Sequence, residues 1–226
     1  MSRALFDALE ATWPPAASAR TGVWRRNDGA GGGKRVSATV LEGAFDPATL
    51  PDDPLFQIRP GQEALDSALD ARGYRVVDPT VLMEAPIDTV AEAPRPVSLL
   101  PMWPPLAIQR AIWAEGGIGP DRLAVMHRAC DPKTGFIARF QNRAAGVGFV
   151  AVHDGIAMLH ALHIEPEFRR KGVARYVVRG MADWARRQGA TCFALAVTRA
   201  NAPARALYSA LGLAEVSAYH YRETTR

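Results

Sequence analysis

The stretch "LHALHIEPEFRRKGVARYV", residues 159–177, decides the fold. It begins as an apolar strand, continues through an acidic turn, and places Arg169, Arg170 and Lys171 directly before Gly172 and an amphipathic helix. The first backbone N–H groups of a helix are unpaired and carry partial positive charge, so a glycine turn there favours phosphate oxygens. The same cations also fit a solvated helix start, so the surrounding elements must decide between the two interpretations.

Those elements are predicted from the period of their apolar residues. Three strand-like runs joined by short turns indicate an antiparallel meander, and a stripe of period 3.6 after it predicts a long helix. In order, we expect helices over residues 106–115 and 121–128, strands over 135–141, 146–153 and 156–164, a helix over 172–188, a strand over 191–198, a helix over 202–211 and a closing strand over 215–223.

A proline-rich segment marks the best candidate for a domain boundary. Six prolines between residues 85 and 105 disfavour a continuous helix or a central strand. We therefore predict a smaller N-terminal α+β domain over residues 1–95 and a larger domain over residues 96–226. Residues 63–84 resemble residues 205–223, since both contain Ala-Leu-x-Ser-Ala-Leu before a glycine and a terminal strand. A true internal repeat and a chance likeness between two amphipathic helices both fit this match.

Composition and charge exclude several classes of protein. With 48% hydrophobic and 22% charged residues the chain is expected to fold rather than to be disordered. It contains neither a long apolar run nor the features of a signal peptide, which predicts a cytoplasmic protein that does not bind membranes. Cys130 and Cys192 lack metal-ligand spacing, so no metal site is expected. The net charge of +4 is scattered along the chain, which argues against a nucleic-acid partner.

The motif around Gly172 is typical of one family. Arg169-x-x-Gly172-x-Ala174, after a strand and ahead of an amphipathic helix, resembles the acetyl-CoA pyrophosphate loop of the GNAT superfamily of N-acetyltransferases. A second stretch also resembles the family. Asn201 is followed seven residues later by Tyr208 and then by Leu-Gly, as in the family's second signature, although Leu213 stands where the family has phenylalanine. The resemblance covers roughly residues 104–226. It implies an α/β (α+β) GNAT fold, in which helices flank a mixed, mostly antiparallel sheet.

The resemblance also implies acetyl-CoA as co-substrate and the residues that bind it. In such proteins the strand before the loop splays away from the next strand, and the pantetheine arm pairs with exposed backbone in the gap. The matching backbone positions are Leu162, His163 and Ile164. The matching pyrophosphate positions are Arg169, Arg170, Lys171, Gly172, Val173, Ala174 and Arg175. Asn201 matches a position near the lower part of CoA, although as a helix N-cap it also has a structural use.

Acetyl transfer to an amine requires a proton donor for the departing thiolate, and the resemblance implies Tyr208 for this role. A phenol with a pKa of about 10 is a suitable donor to a thiolate of similar basicity. The alternative interpretation is a core tyrosine on an amphipathic helix.

His160 is the candidate base, because many family members place a glutamate or histidine on the strand before the loop. Strand alternation puts His160, Leu162 and Ile164 on one face and His163 on the other, unless a bulge intervenes. A histidine titrates near neutral pH and could take the proton directly or through water. The alternative is a structural histidine, with a water chain removing the proton.

One glycine-rich segment is set aside. "NDGAGGGKR", residues 27–35, differs from a P-loop because Asp28 stands where glycine is needed and Arg35 replaces the magnesium-binding Ser or Thr. We interpret it as a flexible hairpin between two strand-like runs.

The sequence therefore predicts direct transfer of an acetyl group from acetyl-CoA to a primary amine of a small molecule or peptide. The alternative is a non-catalytic acyl-CoA sensor, which would bind CoA without releasing thiol. The N-terminal region is interpreted as a degenerate GNAT-like half packed against the catalytic one. The identity of the acceptor and the formation of a homodimer stay open.

Overall fold

The computed structural model describes residues 2–224 of the chain. The elements of its first part alternate between short helices and strands. They are α1 (Ser2–Thr12), β1 (Ala17–Thr21), β2 (Trp24–Asp28), α2 (Lys34–Ser37), β3 (Thr39–Leu41), β4 (Leu55–Ile58), α3 (Glu63–Ala71), β5 (Arg75–Pro86) and α4 (Ile87–Val90), with a 3-10 turn at Pro47–Thr49.

The second part follows the predicted order of elements and adds one strand before it. Its elements are β6 (Leu99–Met102), α5 (Ala107–Glu115), α6 (Pro120–Arg128), β7 (Lys133–Phe140), β8 (Arg143–His153), β9 (Ile156–Ile164), α7 (Val173–Arg187), β10 (Cys192–Thr198), α8 (Ala202–Ser209) and β11 (Ala214–Glu223), with a 3-10 turn at Pro166–Phe168. The added strand β6 contains Pro101 and lies at the sheet edge, where a missing N–H is tolerated.

All these strands form one twisted sheet with the order β1-β2-β3-β4-β11-β5-β10-β9-β8-β7-β6. Among the described strands, β3 with β4 and β9 with β10 are parallel neighbours, and the remaining neighbours are antiparallel. The predicted mixed, mostly antiparallel sheet flanked by helices is confirmed.

The two halves of the sheet exchange their last strands. In the first half β4 pairs with β11, and in the second half β10 pairs with β5, so that β5 and β11 lie side by side at the centre. The helix–strand pairs α3–β5 and α8–β11 therefore occupy equivalent places, as the likeness of residues 63–84 and 205–223 suggested. Each half also carries one parallel pair at the matching position. The division into domains at residue 95 stays a prediction.

Helices cover both faces of the sheet. On one face α7 packs on β7, β8 and β9 and contacts α4, burying Val177, Val178 and Met181. On the other face α1 and α5 pack on β8 and β9, where Trp113 and Phe149 are fully buried. α7 begins after Gly172 at φ 79° and is followed by Gly189 at φ 89°, so glycines provide the left-handed backbone at both ends.

A bulge in β9 corrects the predicted distribution of the histidines. The register between β8 and β9 shifts between Val147 and Phe149, and Ala161 takes a left-handed φ of 51°. The extra residue puts His160 and His163 on the face covered by α1 and α5, and Leu162 and Ile164 on the α7 face. Simple alternation from His160 was therefore wrong beyond the bulge.

The segment at residues 27–35 also differs from the prediction. The hairpin lies upstream, between β1 and β2, and the glycine-rich loop instead connects β2 to the short helix α2. This loop places Arg35 against β11, beside His160.

Because the halves share the central pair β5–β11, we expect them to unfold together. Phe56→Ala, in the core of the first half, removes a side chain with no exposed surface and should cost about 3–5 kcal/mol. Urea unfolding followed by circular dichroism should show a single transition for the wild-type protein, and Phe56→Ala should shift this whole transition to lower urea concentration. Val76→Ala, at a residue 47% exposed, is the control and should move it little. Two transitions, of which Phe56→Ala displaces one, would contradict this expectation.

Candidate active site

The parallel strands β9 and β10 part midway along their length. Their ladder runs from the Ile156–Cys192 pair to the Leu159–Leu195 pair and ends there, while β9 continues on β8 to Ile164. From residue 160 onward, one edge of β9 therefore faces a gap rather than β10. An extended molecule entering this gap can pair with the backbone of β9 as an additional strand does.

The bulge lies at the start of the gap. The indole Nε1 of Trp113 donates a hydrogen bond of 2.8 Å to the carbonyl oxygen of Ala161, which fixes the bulged residue to α5. His163 packs on Gly116, where an added Cβ would lie 2.5 Å from its Nδ1. Burial, together with the Arg169 guanidinium, lowers the pKa of His163 from its ordinary value. His163 is thus held by packing on the opposite side from Leu162 and Ile164.

The loop from β9 to α7 reverses the chain through two residues with positive φ. Arg170 has a φ of 61° and Gly172 a φ of 79°, and a Cβ added at Gly172 would meet no atom within 4 Å. The space above Gly172 is therefore open, and it adjoins the start of α7, whose first N–H groups have no partner within the helix. Arg169 braces the loop, because its Nε donates a hydrogen bond of 2.9 Å to the carbonyl oxygen of Ile164.

A basic cleft of about 510 Å³ adjoins the loop on the side of β7. Lys171, Arg175 and Arg139 line it, together with Arg179, which forms an ion pair with Glu92. Positive charge beside an open helix start raises the local concentration of anions. The loop and the cleft together form an open, basic surface next to the gap.

The helix α8 follows β10, and Asn201 and Tyr208 of the second family signature lie at its start and near its end. The side-chain oxygen of Asn201 accepts a hydrogen bond of 3.2 Å from the backbone N–H of Ala204, so Asn201 is the N-cap of α8. Tyr208 is 7% exposed, and burial raises its pKa to about 12. Its phenol therefore stays protonated at neutral pH.

His160 is held from both sides of its ring. The hydroxyl of Thr12 donates to the carbonyl oxygen of Ala8 at 2.6 Å and therefore accepts from Nε2–H of His160 at 2.8 Å. Nδ1 is then the unprotonated nitrogen, and it faces Nη1 of Arg35 at 3.4 Å. Burial, together with the Arg35 guanidinium, holds the pKa of His160 well below its ordinary value of 6.5. The imidazole is neutral at pH 7, with both nitrogens engaged.

A second cavity of about 310 Å³, called here the inner cavity, lies on the α1 side of the gap. Both halves of the chain build it, because α1, the α2 loop and β5 meet β9, β10 and β11 there. Its lining includes Trp13, Arg35, His160, Ala161, Thr198 and Tyr219. Sequence reasoning found His160 but missed Trp13 and Arg35. Trp13 reaches β9 because α1 packs on β8 and β9, and Arg35 lies against β11, which the exchange of strands places in the first half of the sheet. The one signal for Arg35 was the glycine-rich segment that had been set aside.

The residues predicted to bind acetyl-CoA and to donate a proton lie on β9, on the loop after it and on the helices α7 and α8. Their roles stay predictions. Leu162, His163 and Ile164 lie on the strand at the gap, and residues 169–175 follow directly in the loop and the first turn of α7. Tyr208 lies in the same buried cluster as residues of β9, β10 and α7. Within residues 2–224, no helix is long and apolar enough to cross a membrane, and no group of acidic, histidine or cysteine side chains could hold a metal ion.

Comparison with known proteins identifies the class of this site. Residues 106–213 match the model of the acetyltransferase (GNAT) family. The uncharacterized N-acetyltransferase YobR of Bacillus subtilis (strain 168) is 31% identical over 110 residues, which are 47% of this chain and 44% of that protein. The match thus spans less than half of that relative. The two matches support a GNAT-type N-acetyltransferase segment in the C-terminal part of the chain, of a family that generally uses acetyl-CoA.

Solved structures extend the likeness to the whole described fold. A GCN5-related N-acetyltransferase from Kribbella flavida has a TM-score of 0.73 at 16% identity, covering 100% of this chain and 96% of that one. A tandem GNAT protein from the clavulanic acid biosynthesis pathway has a TM-score of 0.58 at 12% identity, covering 95% of this chain and 85% of that one. At these identities the likeness concerns the fold alone.

Gly172 provides a test of the loop as an anion site. Gly172→Ala puts a Cβ on a left-handed residue and should cost about 1–2 kcal/mol of stability. It should also weaken acetyl-CoA binding by roughly tenfold, because the loop must shift its N–H groups to relieve the strain. Isothermal titration with acetyl-CoA measures this. Gly189→Ala carries the same strain at the other end of α7 and should leave the affinity unchanged; equal affinity losses in both variants would contradict the assignment.

The buried His160 predicts a dependence of stability on pH. Its pKa is lower in the folded than in the unfolded chain, so its contribution is complete above pH 6.5 and is lost as the pH falls. When the pH falls from 7.5 to 5.5, the contribution of His160 should lower the free energy of unfolding by about 1.4 kcal/mol. Urea titrations of the wild-type protein and His160→Gln at both pH values measure the difference. A slope unchanged by the substitution would count against a neutral, buried imidazole.

Proposed function

We propose that the protein transfers an acetyl group from acetyl-CoA to a primary amine by direct attack. The observation that carries the proposal is the parting of β9 and β10 beside the loop at Gly172, since a gap with an open strand edge and an anion-binding loop fits pantetheine and pyrophosphate together. Leu162, His163 and Ile164 would provide the backbone contacts. The segment 169–175 would hold the pyrophosphate.

Not every cation of the loop has the same part in this proposal. Arg169 is engaged with the carbonyl oxygen of Ile164 and would shape the loop, whereas Lys171 and Arg175 line the basic cleft and would attract the phosphates. Arg170 and Gly172 would set the backbone reversal that turns the N–H groups outward. Asn201 would act chiefly as the cap that fixes the start of α8 near CoA.

In the proposed reaction the amine nitrogen attacks the thioester carbonyl, a C–N bond forms, and the C–S bond breaks. The nitrogen loses a proton, and the CoA thiolate accepts one or is stabilised by a hydrogen bond. Tyr208 would be the donor. Burial raises its pKa to about 12, so the protonated phenol would stabilise the thiolate by a hydrogen bond more readily than by complete proton transfer. No covalent enzyme intermediate is needed.

The role of His160 as the base stays a prediction. Of the two interpretations open from the sequence, the geometry favours the structural one, because Nε2 donates to Thr12 and Nδ1 faces the Arg35 guanidinium. A histidine with a strongly lowered pKa is also a weak base for an ammonium group. Water in the inner cavity would then carry the proton away from the amine.

Release of CoA thiol from acetyl-CoA in the presence of a panel of primary amines tests the function. Tyr208→Phe should lower kcat about 100-fold with little change in the KM for acetyl-CoA, because it removes the proton donor and leaves the binding groups. Tyr74→Phe is the control in the first half of the chain; its hydroxyl donates to the carbonyl oxygen of Asp53, and its loss should affect stability and not kcat. Binding of acetyl-CoA without thiol release for any amine would favour the sensor over the enzyme.

A further inference from the structure

The inner cavity contains a guanidinium whose charge no carboxylate meets. Arg35 faces Nδ1 of His160 at 3.4 Å and the hydroxyl groups of Tyr219 and Tyr221, and none of these partners is a carboxylate. Its Nε is buried and has no hydrogen-bond partner. None of the ion pairs within residues 2–224 includes Arg35. A largely buried cation without an anion is costly, and such groups are normally paired.

The neighbouring lysine shows the contrast. Nζ of Lys34 lies 3.1 Å from a carboxylate oxygen of Asp78 and 3.5 Å from one of Glu223, so its charge is balanced within the protein. Arg35, one residue later, turns inward while Lys34 turns toward these carboxylates. The Lys34–Asp78 pair and Arg122 also line the inner cavity, but Arg122 is exposed to solvent. Among these lining residues, Arg35 is therefore the cation that is largely buried and has no carboxylate partner.

From this arrangement we propose that the acceptor is an amine that carries a carboxylate, and that Arg35 binds this carboxylate. The proposal rests on the proposed function, since it names the substrate class of the same site. A guanidinium presents a planar fork that matches a carboxylate with two parallel hydrogen bonds.

The position of the cavity fits this class of substrate. Arg35 and the bulged residue Ala161 line the same cavity, and Ala161 lies where β9 and β10 part. A carboxylate held at Arg35 directs the rest of the molecule toward the gap, where the thioester would lie. The cavity volume of about 310 Å³ suits a small molecule of amino-acid size. The carboxylate anchors the molecule, and its amine takes part in the bond exchange described above.

The test compares α- and ω-amino acids with their carboxamides, which have nearly the same shape and lack the charge. With acetyl-CoA, the best amino acid should be acetylated with a kcat/KM about 10- to 100-fold higher than that of its amide, the effect expected for a charge-assisted hydrogen bond. Arg35→Met keeps the length of the side chain and should remove this preference. Arg3→Met, at a side chain 94% exposed, should keep it.

The outcomes separate this inference from the proposed function. Equal turnover of amino acids and amides would support the acetyltransferase function and overturn the proposal that Arg35 binds a carboxylate of the acceptor. If no compound of the panel is acetylated, titration of the CoA-saturated protein with N-acetylated amino acids and their amides still decides the inference, because tighter binding of the acids supports it and equal binding overturns it. This comparison uses the wild-type protein, so it holds even if Arg35→Met does not fold.

Discussion

The site depends on one hydrogen bond, from the indole of Trp113 to the carbonyl oxygen of Ala161. It holds a residue of β9 in the left-handed region, which breaks the alternation of the strand at the point where β10 departs. Because of this bulge, Leu162 and Ile164 face α7 while both histidines face α1 and α5. The gap, the loop that follows it and the histidine side of the inner cavity all take their positions from this local distortion.

The exchange of terminal strands places residues from both ends of the chain in the lining of the inner cavity. β11 lies between β4 and β5, so Tyr219 and Tyr221 from the end of the chain meet Arg35 from its beginning. The first half of the chain thus does more than cover the second, since it supplies the cation and the aromatic residue Trp13 that stacks on His160 at 4.9 Å. Without the first half, the inner cavity would lack the lining that Trp13, Arg35 and Thr80 provide.

The sequence predicted those parts whose signals are local. The apolar stripe of α7 and the spacing of Arg169, Gly172 and Ala174 identified the long helix, the loop and the family, since helix period and glycine chemistry act over a few residues. A bulge in β9 was left open as an alternative, and its position at Ala161 could not be predicted, because Ala161 is held by Trp113, 48 residues earlier. Arg35 was missed because its surroundings depend on strand order, which no local pattern encodes.

The exchange of strands also constrains how the chain can fold. The first half of the sheet cannot complete its pairing until residues 214–223 have been synthesised, although β4 is formed from residues 55–58. Pairings between segments so distant in sequence are slow to form, and until then β4 has an exposed edge. The newly made chain therefore passes through a stage in which most of its strands exist and its central ones are unpaired, a stage at which chaperones act on other proteins.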